Sequence, residues 1–206
     1  MSREVDDEKR DTLRRFAALG AATPLVSAEA TAESDDGDDR SAVRDAIRGY
    51  LSRTPGAHFS KLRDDLRLGT GETQHHLRTL ESEGAVVSTR DGDYRRFYPA
   101  GQFSAFEQTA LGYLRRETAR GVVVTLLREP DASGADVARA LDVSRPTVSN
   151  YVGELESAGL LDRSDGYAVV RPETIITLLV RYADSFGPDA AAFADDAAAD
   201  LVSYDG

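Results

Sequence analysis

The chain contains two stretches in which apolar residues recur at helical spacing, and the two align when the sequence is shifted by 75 residues. In each stretch, apolar or β-branched residues occupy positions i, i+4 and i+7, the spacing of one face of an amphipathic helix. The glycines that follow, Gly84 and Gly159, coincide as well, so one structural unit is predicted to occur twice. The two stripes consist of Thr73, Leu77 and Leu80 in the first copy and of Val148, Val152 and Leu155 in the second.

The turn signals around each stripe predict the order helix, helix, turn, helix and hairpin. The third helices are expected over 70–83 and 145–158, and Ser144 is a good N-cap for the second of them. Each is followed by a glycine and then by apolar residues around an Asp-Gly turn, which is a strong signal of a β-hairpin. These turns lie at Asp91-Gly92 and Asp165-Gly166. This order of elements is that of a winged helix-turn-helix unit.

The face of each third helix opposite the stripe carries side chains that hydrogen-bond to base edges and phosphates. Gln and Asn suit adenine, Arg suits guanine, and hydroxyl groups suit either. Arginines around the hairpin tips add cations beside the same helices. The candidate DNA-contacting residues are Thr70, Glu72, Gln74, His75, Arg78, Arg90, Arg95 and Arg96 in the first copy, and Arg145, Thr147, Ser149, Asn150 and Arg163 in the second. For the helix residues, the alternative is a solvated helix face.

The apolar segments outside the repeat predict further helices. Residues 172–186 are apolar on more than one side, which indicates a second partner surface. We therefore predict a mostly α protein with small β-hairpin wings, made of two winged helix-turn-helix units plus connecting and C-terminal helices. The predicted segments are an N-terminal helix and acidic disordered linker over 1–40, the first winged unit over 41–102, a connecting helix over 103–118, the second winged unit over 119–171, and a C-terminal helix with an acidic tail over 172–206.

The composition limits the chemistry. The 206 residues include no cysteine, which excludes disulfides, thiolate metal sites and cysteine nucleophiles. His75 and His76 are adjacent and diverge on a helix, so with Glu72 they supply fewer convergent ligands than a metal site needs. The fold brings together neither a phosphate-binding loop nor a Ser/His/Asp grouping, and we expect no enzyme, no cofactor and no metal.

Charge is unevenly distributed around a net value of −11. Residues 1–40 and 172–206 carry −5 and −6, whereas 41–103 carry +2 and 104–171 carry −2. This acid-rich, lysine-poor composition resembles that of proteins from extreme halophiles, whose surface charge maintains solubility. At molar salt the Debye length is about 3 Å, so a DNA-binding protein depends on close contacts rather than on a broad basic surface. The positive balance of the first copy indicates that it makes the stronger contact.

Two segments, HFSKLRDDLRLGTGETQHHLRTLESEGAVV and DVARALDVSRPTVSNYVGELESAGLLDR, resemble winged helix-turn-helix transcriptional regulators of the MarR- and ArsR-like kind. The likeness covers 41–186 and is closest to haloarchaeal regulators with two such units in tandem. It implies a cytoplasmic regulator that binds double-stranded DNA sequence-specifically, with third helices in the major groove and wings on the backbone. Helices appended to such units commonly form dimer interfaces, and we expect a homodimer through 172–186. The Cys and His clusters of the metal-sensing branch are missing from this sequence.

Several alternatives stay open from the sequence. The third-helix face could contact protein, or the C-terminal helix could pack wholly within its own chain. Arg14-Arg15, a short Ala/Leu run and Ala28-Glu29-Ala30 resemble a twin-arginine export signal, although we favour a short amphipathic helix there. No stretch reaches the ~18 apolar residues of a spanning helix, so no membrane association is expected. A dimer would bind a two-fold symmetric DNA site, whereas the two units of a monomer would bind adjacent grooves of the duplex.

Overall fold

The computed structural model describes residues 11–17 and 35–203, with side chains described in 11–17 and 40–199. The chain divides between Phe103 and Ser104 into two compact units. Each unit is described by itself below.

The first unit combines helices with a three-stranded antiparallel sheet. In chain order its elements are α1 (residues 11–17), α2 (Asp35–Arg53), β1 (Ala57–His58), α3 (Phe59–Asp65), α4 (Thr70–Ser82), β2 (Val86–Asp91) and β3 (Tyr94–Pro99). The sheet order is β1-β3-β2. Asp91 pairs with Tyr94 across a two-residue turn, and Gly92 takes φ +59° at its first position, where a type II′ turn favours glycine. The predicted hairpin is therefore confirmed, whereas the sequence did not reveal the short strand β1.

The second unit repeats this order with a smaller wing and more helices. Its elements are α5 (Ala105–Leu114), α6 (Glu117–Arg128), α7 (Gly134–Ala140), α8 (Arg145–Ser157), β4 (Leu161–Asp162), β5 (Ala168–Val169), α9 (Pro172–Arg181), α10 (Ala183–Phe186) and α11 (Pro188–Ser203). Its wing is a two-stranded antiparallel pair. The predicted fold class, mostly α with small β-hairpin wings, is confirmed.

The apolar stripe of each third helix faces the core of its own unit. All six stripe residues are buried, and Thr73, Leu80, Val152 and Leu155 are completely inaccessible to solvent. Thr73 is the one polar member, and its hydroxyl donates to the carbonyl oxygen of Gly69, 2.9 Å away. Because the stripe points inward, the opposite face of α4 and of α8 points away from the core.

Backbone geometry supports the internal repeat independently of side-chain pattern. Arg67 and Asp142, 75 residues apart, both take left-handed φ values, +55° and +52°, in the turn before the third helix. Gly84 and Gly159 take +69° and +71° directly after it. The left-handed conformation is unfavourable for residues other than glycine, so its recurrence at one offset indicates that both units form the same turn.

The second helix of each unit begins with a side-chain cap at equivalent positions. In α3 the Nδ1 of His58 accepts a hydrogen bond from the Lys61 N–H at 3.3 Å. In α7 the Ser133 hydroxyl accepts from the Asp136 N–H at 3.3 Å, and the Asp136 carboxylate accepts from the Ser133 N–H at 3.0 Å. These bonds satisfy amide groups that the first turn of a helix leaves unpaired.

The predicted connecting helix over 103–118 ends earlier than predicted. α5 ends at Leu114, and α6 begins after Arg116, whose backbone is extended with φ −96° and ψ 118°. The two arginines at the break have tertiary partners: Arg115 donates to the Ser185 carbonyl oxygen at 2.5 Å, and Arg116 pairs with Glu154 at 2.8 Å.

The C-terminal region also differs from its prediction. Residues 172–186 form α9 and α10, and the predicted acidic tail contains α11. Ala190 and Phe193 of α11 are buried. Arg120 of α6, whose side chain is 5% exposed, holds Asp189 through two hydrogen bonds of 2.7 and 2.8 Å. An aspartate counted as tail charge in the sequence is thus the partner of a buried cation.

The N-terminal segment differs in part as well. α2 begins at Asp35, inside the stretch 33–40 that was predicted as a disordered linker. The helix over 11–17 carries Leu13, which is buried, and Phe16, whose ring lies 5.4 Å from that of Tyr50. The rest of the export-signal pattern, 18–30, lies outside the described residues.

Candidate nucleic-acid interface

The outward face of α4 presents a polar row at helical spacing. Gln74, His75 and Arg78 are all exposed, together with Gly71. These positions follow i, i+3, i+4 and i+7, so they form one continuous strip. Among the described residues, Gln74 and Arg78 make no hydrogen bond or ion pair, which leaves both side chains available to a ligand.

The first turn of α4 is organised by its own caps. Glu72 is half-buried, and its carboxylate accepts a hydrogen bond from the Gly69 N–H at 3.0 Å. Thr70 is exposed, and its hydroxyl lies 3.5 Å from the Nη1 of Arg63 in α3. Glu72 therefore contributes to starting the helix, and Arg63 is a cation beside the strip that the sequence pattern did not reveal, because it belongs to a different helix.

The outward face of α8 follows the same geometry with fewer charges. Arg145, Ser149 and Asn150 are exposed. Thr147 is half-buried in the cap, where its N–H donates to the Ser144 hydroxyl oxygen at 3.2 Å. Four of the predicted residues of α8 thus lie on or near one face, and Arg145 supplies the cation.

The two strips differ most at one repeat-equivalent position. Arg78 of α4 corresponds to Gly153 of α8, where an added Cβ would meet nothing within 4 Å. A long side chain therefore extends from the C-terminal end of the first strip, whereas the second strip has no side chain at the equivalent position.

The wing of the first unit places exposed cations beside α4. Arg90 is exposed on β2, and among the described residues it makes no ion pair. Arg95 on β3 is 58% exposed and pairs with Glu81 of α4 at 2.6 Å. Tyr94, 51% exposed, lies beside them with its ring 5.1 Å from the imidazole of His58. Tyr94 was not among the predicted DNA-contacting residues, although its aromatic side chain at the hairpin tip was visible in the sequence.

The prediction that Arg96 contacts DNA is wrong, because its side chain is buried. Its side chain is 3% exposed, and its guanidinium forms an ion pair with Asp91 of the same hairpin. Its Nη1 donates to the Gly56 carbonyl oxygen at 3.0 Å, which ties the wing to the loop before β1. Side chains alternate between the two faces of a strand, so adjacent Arg95 and Arg96 point in opposite directions. Arg96 therefore stabilises the wing and has no surface to offer to a phosphate.

The wing of the second unit is shorter and more acidic. Arg163 is exposed and pairs with Glu156 of α8 at 3.2 Å. Asp162 is held ionised because the Ser164 backbone N–H donates to its carboxylate, which lowers its pKa. Asp165 adds another exposed acid at the tip. The second wing thus offers a phosphate less positive charge than the first.

Two histidines near the first interface favour their neutral forms. Burial lowers the pKa of His76 in α4 from its ordinary value of 6.5, and the neighbouring His75 lowers it further. Burial also lowers the pKa of His58, with a further contribution from the positive charge of Arg96. In 11–17 and 35–203, no group of three or more His, Asp or Glu residues is arranged to hold a metal ion.

Comparison with known protein families agrees with this geometry. Residues 41–111 match a family model described as an N-terminal HTH domain, and residues 118–167 match the MarR family. The chain is a tandem winged helix-turn-helix protein. The two matches divide this tandem protein close to the boundary between its two units.

One relative of this tandem winged-helix protein comes from Methanocaldococcus jannaschii and is described as an uncharacterized HTH-type transcriptional regulator. The two are 28% identical over 129 residues, which cover 62% of this chain and 32% of the relative. The match therefore spans about a third of the relative's length. Over the described parts of the chain, no helix combines the length and apolar character needed to cross a bilayer.

We expect Arg96→Ala to destabilise the first unit and Arg90→Ala to leave its stability unchanged. Removing Arg96 breaks its buried ion pair with Asp91 and its hydrogen bond to the Gly56 carbonyl, which costs about 3–5 kcal/mol of the free energy of unfolding. Removing exposed Arg90 changes it by less than about 0.5 kcal/mol. Urea unfolding followed by tyrosine fluorescence measures both, and equal stabilities of the two variants would contradict the structural role of Arg96.

We expect the first unit to lose stability as the pH falls below 6.5, the ordinary pKa of His76. Because the folded-state pKa is lowered, the unfolded chain takes up a proton that the folded unit resists, and the loss continues until the pH passes the folded pKa. His76→Tyr, which installs the residue of the equivalent position 151, should weaken this dependence.

Thermal unfolding at about pH 7.5 and about pH 5.5 measures the effect. His75→Gln, at the neighbouring exposed position, is the control and should keep most of the pH dependence. If His76→Tyr has the same difference in Tm between the two pH values as the unaltered protein, His76 is not its source.

Proposed function

We propose that this protein is a sequence-specific regulator of transcription that binds double-stranded DNA. The observation that carries the proposal is the outward polar strip on the third helix of both units, each followed by a wing. A third helix in this position is the element that enters the major groove in helix-turn-helix proteins. The relative described as a transcriptional regulator supports the same assignment. In this proposal the protein is not an enzyme, needs no cofactor, and binds DNA in the cytoplasm.

The strips supply the proposed base contacts. Gln74 and Asn150 suit adenine, Arg78 suits guanine, and Ser149 suits either. Thr70 and Arg145, in the first turn of their helices, suit phosphate oxygens, because phosphate contacts fix the orientation of a helix on the duplex. The wing residues Arg90, Arg95 and Arg163 are proposed to lie along the backbone.

The first unit is proposed to make the stronger contact. Arg78 and Arg90 are exposed and unpaired among the described residues, whereas the second unit presents only Arg145 in this way on its helix and wing. Attraction to phosphate supplies much of the affinity for DNA, so the unit with more unpaired cations binds more tightly.

The proposed homodimer has a smaller surface than the sequence indicated. Ile175, Leu178 and Leu179 of α9 are buried within the second unit, where α9 packs against α5, α10 and α11. What α9 leaves outside is a face with Ile176, half-buried, and Val180, 42% exposed. We retain a dimer through 172–186 and assign it to this outer face.

We expect Arg78→Gln to weaken binding by about 1–3 kcal/mol, the range for loss of a bidentate contact to guanine. Gly153→Arg, the matched change in α8, should strengthen binding, because the added side chain enters open space at the equivalent position. Arg53→Gln removes an exposed arginine at the end of α2 and should have no effect.

Fluorescence anisotropy at matched KCl concentrations measures these affinities on a fragment from upstream of the protein's own coding sequence and on a mixed-sequence duplex. A preference for the first DNA that Arg78→Gln reduces supports the proposal. Equal affinity for both DNAs refutes sequence-specific binding. No binding to either, at any KCl concentration at which the protein is folded, would instead favour a protein-interaction module.

We expect Val180→Asp to convert a dimer into a monomer, because it places a charge in the apolar face of α9. Light scattering at micromolar concentration measures the mass of both proteins. A monomeric unaltered protein would exclude the dimer.

A further inference from the structure

A carboxylate at the end of each third helix holds an arginine of the following wing. In the first unit, one oxygen of Glu81 accepts a hydrogen bond from the Arg95 Nη2 at 2.6 Å. The same oxygen accepts from the Ser88 hydroxyl at 2.6 Å, and the Arg95 Nε donates to the Ser88 oxygen at 2.9 Å. The three side chains therefore form a closed set of hydrogen bonds between α4, β2 and β3.

The second unit makes the same connection with a different strand. Glu156 occupies the position equivalent to Glu81, and it accepts a hydrogen bond from the Arg163 Nη1 at 3.2 Å. Arg163 is equivalent to Ser88 on the first strand of the wing, whereas Arg95 comes from the second strand. Two units that take their arginine from different strands still pair it with the equivalent glutamate of the third helix, which indicates that the pairing matters beyond one local contact.

The exposures of the partners show what this pairing does. Glu81 is 20% exposed, whereas Arg95 is 58% exposed and lies over the ring of Phe97 at 5.3 Å. The guanidinium thus faces solvent with the carboxylate beneath it. Ion pairs at exposed sites contribute little to folding, so stability does not explain the arrangement. Its larger consequence is electrostatic, because the wing presents a guanidinium whose charge is already neutralised.

We propose that Glu81 sets the salt dependence of DNA binding by acting as a built-in counterion for Arg95. This inference rests on the proposed binding of duplex DNA. A guanidinium that comes to the duplex with its own carboxylate brings no net charge, so it displaces no net cation from the phosphates. Affinity falls with salt in proportion to the number of phosphates neutralised. The pair therefore keeps the geometry of an arginine contact while lowering the loss of affinity at high salt.

Glu81→Gln is the decisive variant. It keeps the shape of the side chain and a hydrogen-bonding oxygen for Ser88 but removes the negative charge. The plot of log affinity against log KCl concentration should become steeper by about 1, the change for one more neutralised phosphate. Glu81→Gln should bind more tightly than the unaltered protein at low KCl, and this advantage should shrink about fourfold for each fourfold rise in KCl.

Arg95→Gln and the double variant separate charge from structure. Arg95→Gln leaves Glu81 as an unpaired acid beside the DNA, so its slope should be shallower by about 1. The double variant has the same net charge as the unaltered protein and should return to its slope. Glu83→Gln is the matched control, because Glu83 directly follows α4 but pairs with Arg44 and Arg48 of α2, at 3.2 and 3.4 Å. Its slope should equal that of the unaltered protein.

The measurement uses a mixed-sequence duplex, because phosphate contacts do not depend on base sequence. Folding of every variant at every KCl concentration is checked by circular dichroism. A steeper slope for Glu81→Gln that disappears in the double variant supports the proposal. Parallel plots for Glu81→Gln and the unaltered protein, whatever their vertical offset, overturn it, since a merely structural role shifts affinity without changing the slope. Parallel plots leave the proposed regulator function untouched, whereas failure of that function appears as equal affinity for the upstream fragment and the mixed-sequence duplex.

Discussion

The burial of one apolar stripe on each third helix is the interaction on which the rest of the structure depends. Leu80 and Leu155 are completely buried at the end of these stripes. Once they are packed, the rotation of the helix about its axis is fixed, because residues three and four positions apart lie on the same face. The residues between them must then lie on the other faces. The strip around Gln74 and Asn150 then points outward without any interaction of its own. The same rotation brings Glu81 and Glu156 beside the wings, so the wing contacts also follow from packing in the core.

Depth below the surface decides what each arginine of this acidic protein does. Arg96 and Arg120 are buried, and each is neutralised by an aspartate and also donates a hydrogen bond to a backbone carbonyl oxygen. Arg95 is paired as well, but it faces solvent. The first two therefore hold elements together, while the guanidinium of the third stays exposed beside its carboxylate. A high content of acid is thus compatible with binding a polyanion, because many of the acids are committed to arginines of the same chain.

The sequence predicted the fold well, and it predicted the outward faces of the third helices but not the burial of Arg96. The 75-residue repeat, both third helices and the Asp91-Gly92 turn follow from local periodicity and turn chemistry, which act between residues close in the chain. The polar strips followed from the same periodicity. Arg96 was assigned to the wrong environment because its burial depends on Gly56, 40 residues away, and on the direction of the strand. The helix α11 was missed for a similar reason, since Asp189 reads as tail charge until the partner Arg120 is known.

The sequence by itself determined the order of the elements, the inward stripe of each third helix and the outward identity of Gln74, His75, Ser149 and Asn150. Helical periodicity and turn residues encode these features within a few positions of one another. Only the tertiary structure decided which charges are available, because pairing and burial join residues that are distant in the chain. It placed Glu81 under Arg95 and buried Arg96 in the wing. It also packed three apolar residues of α9 into the core of the second unit. Local pattern shows where a side chain lies on its helix or strand, whereas long-range packing decides what covers it.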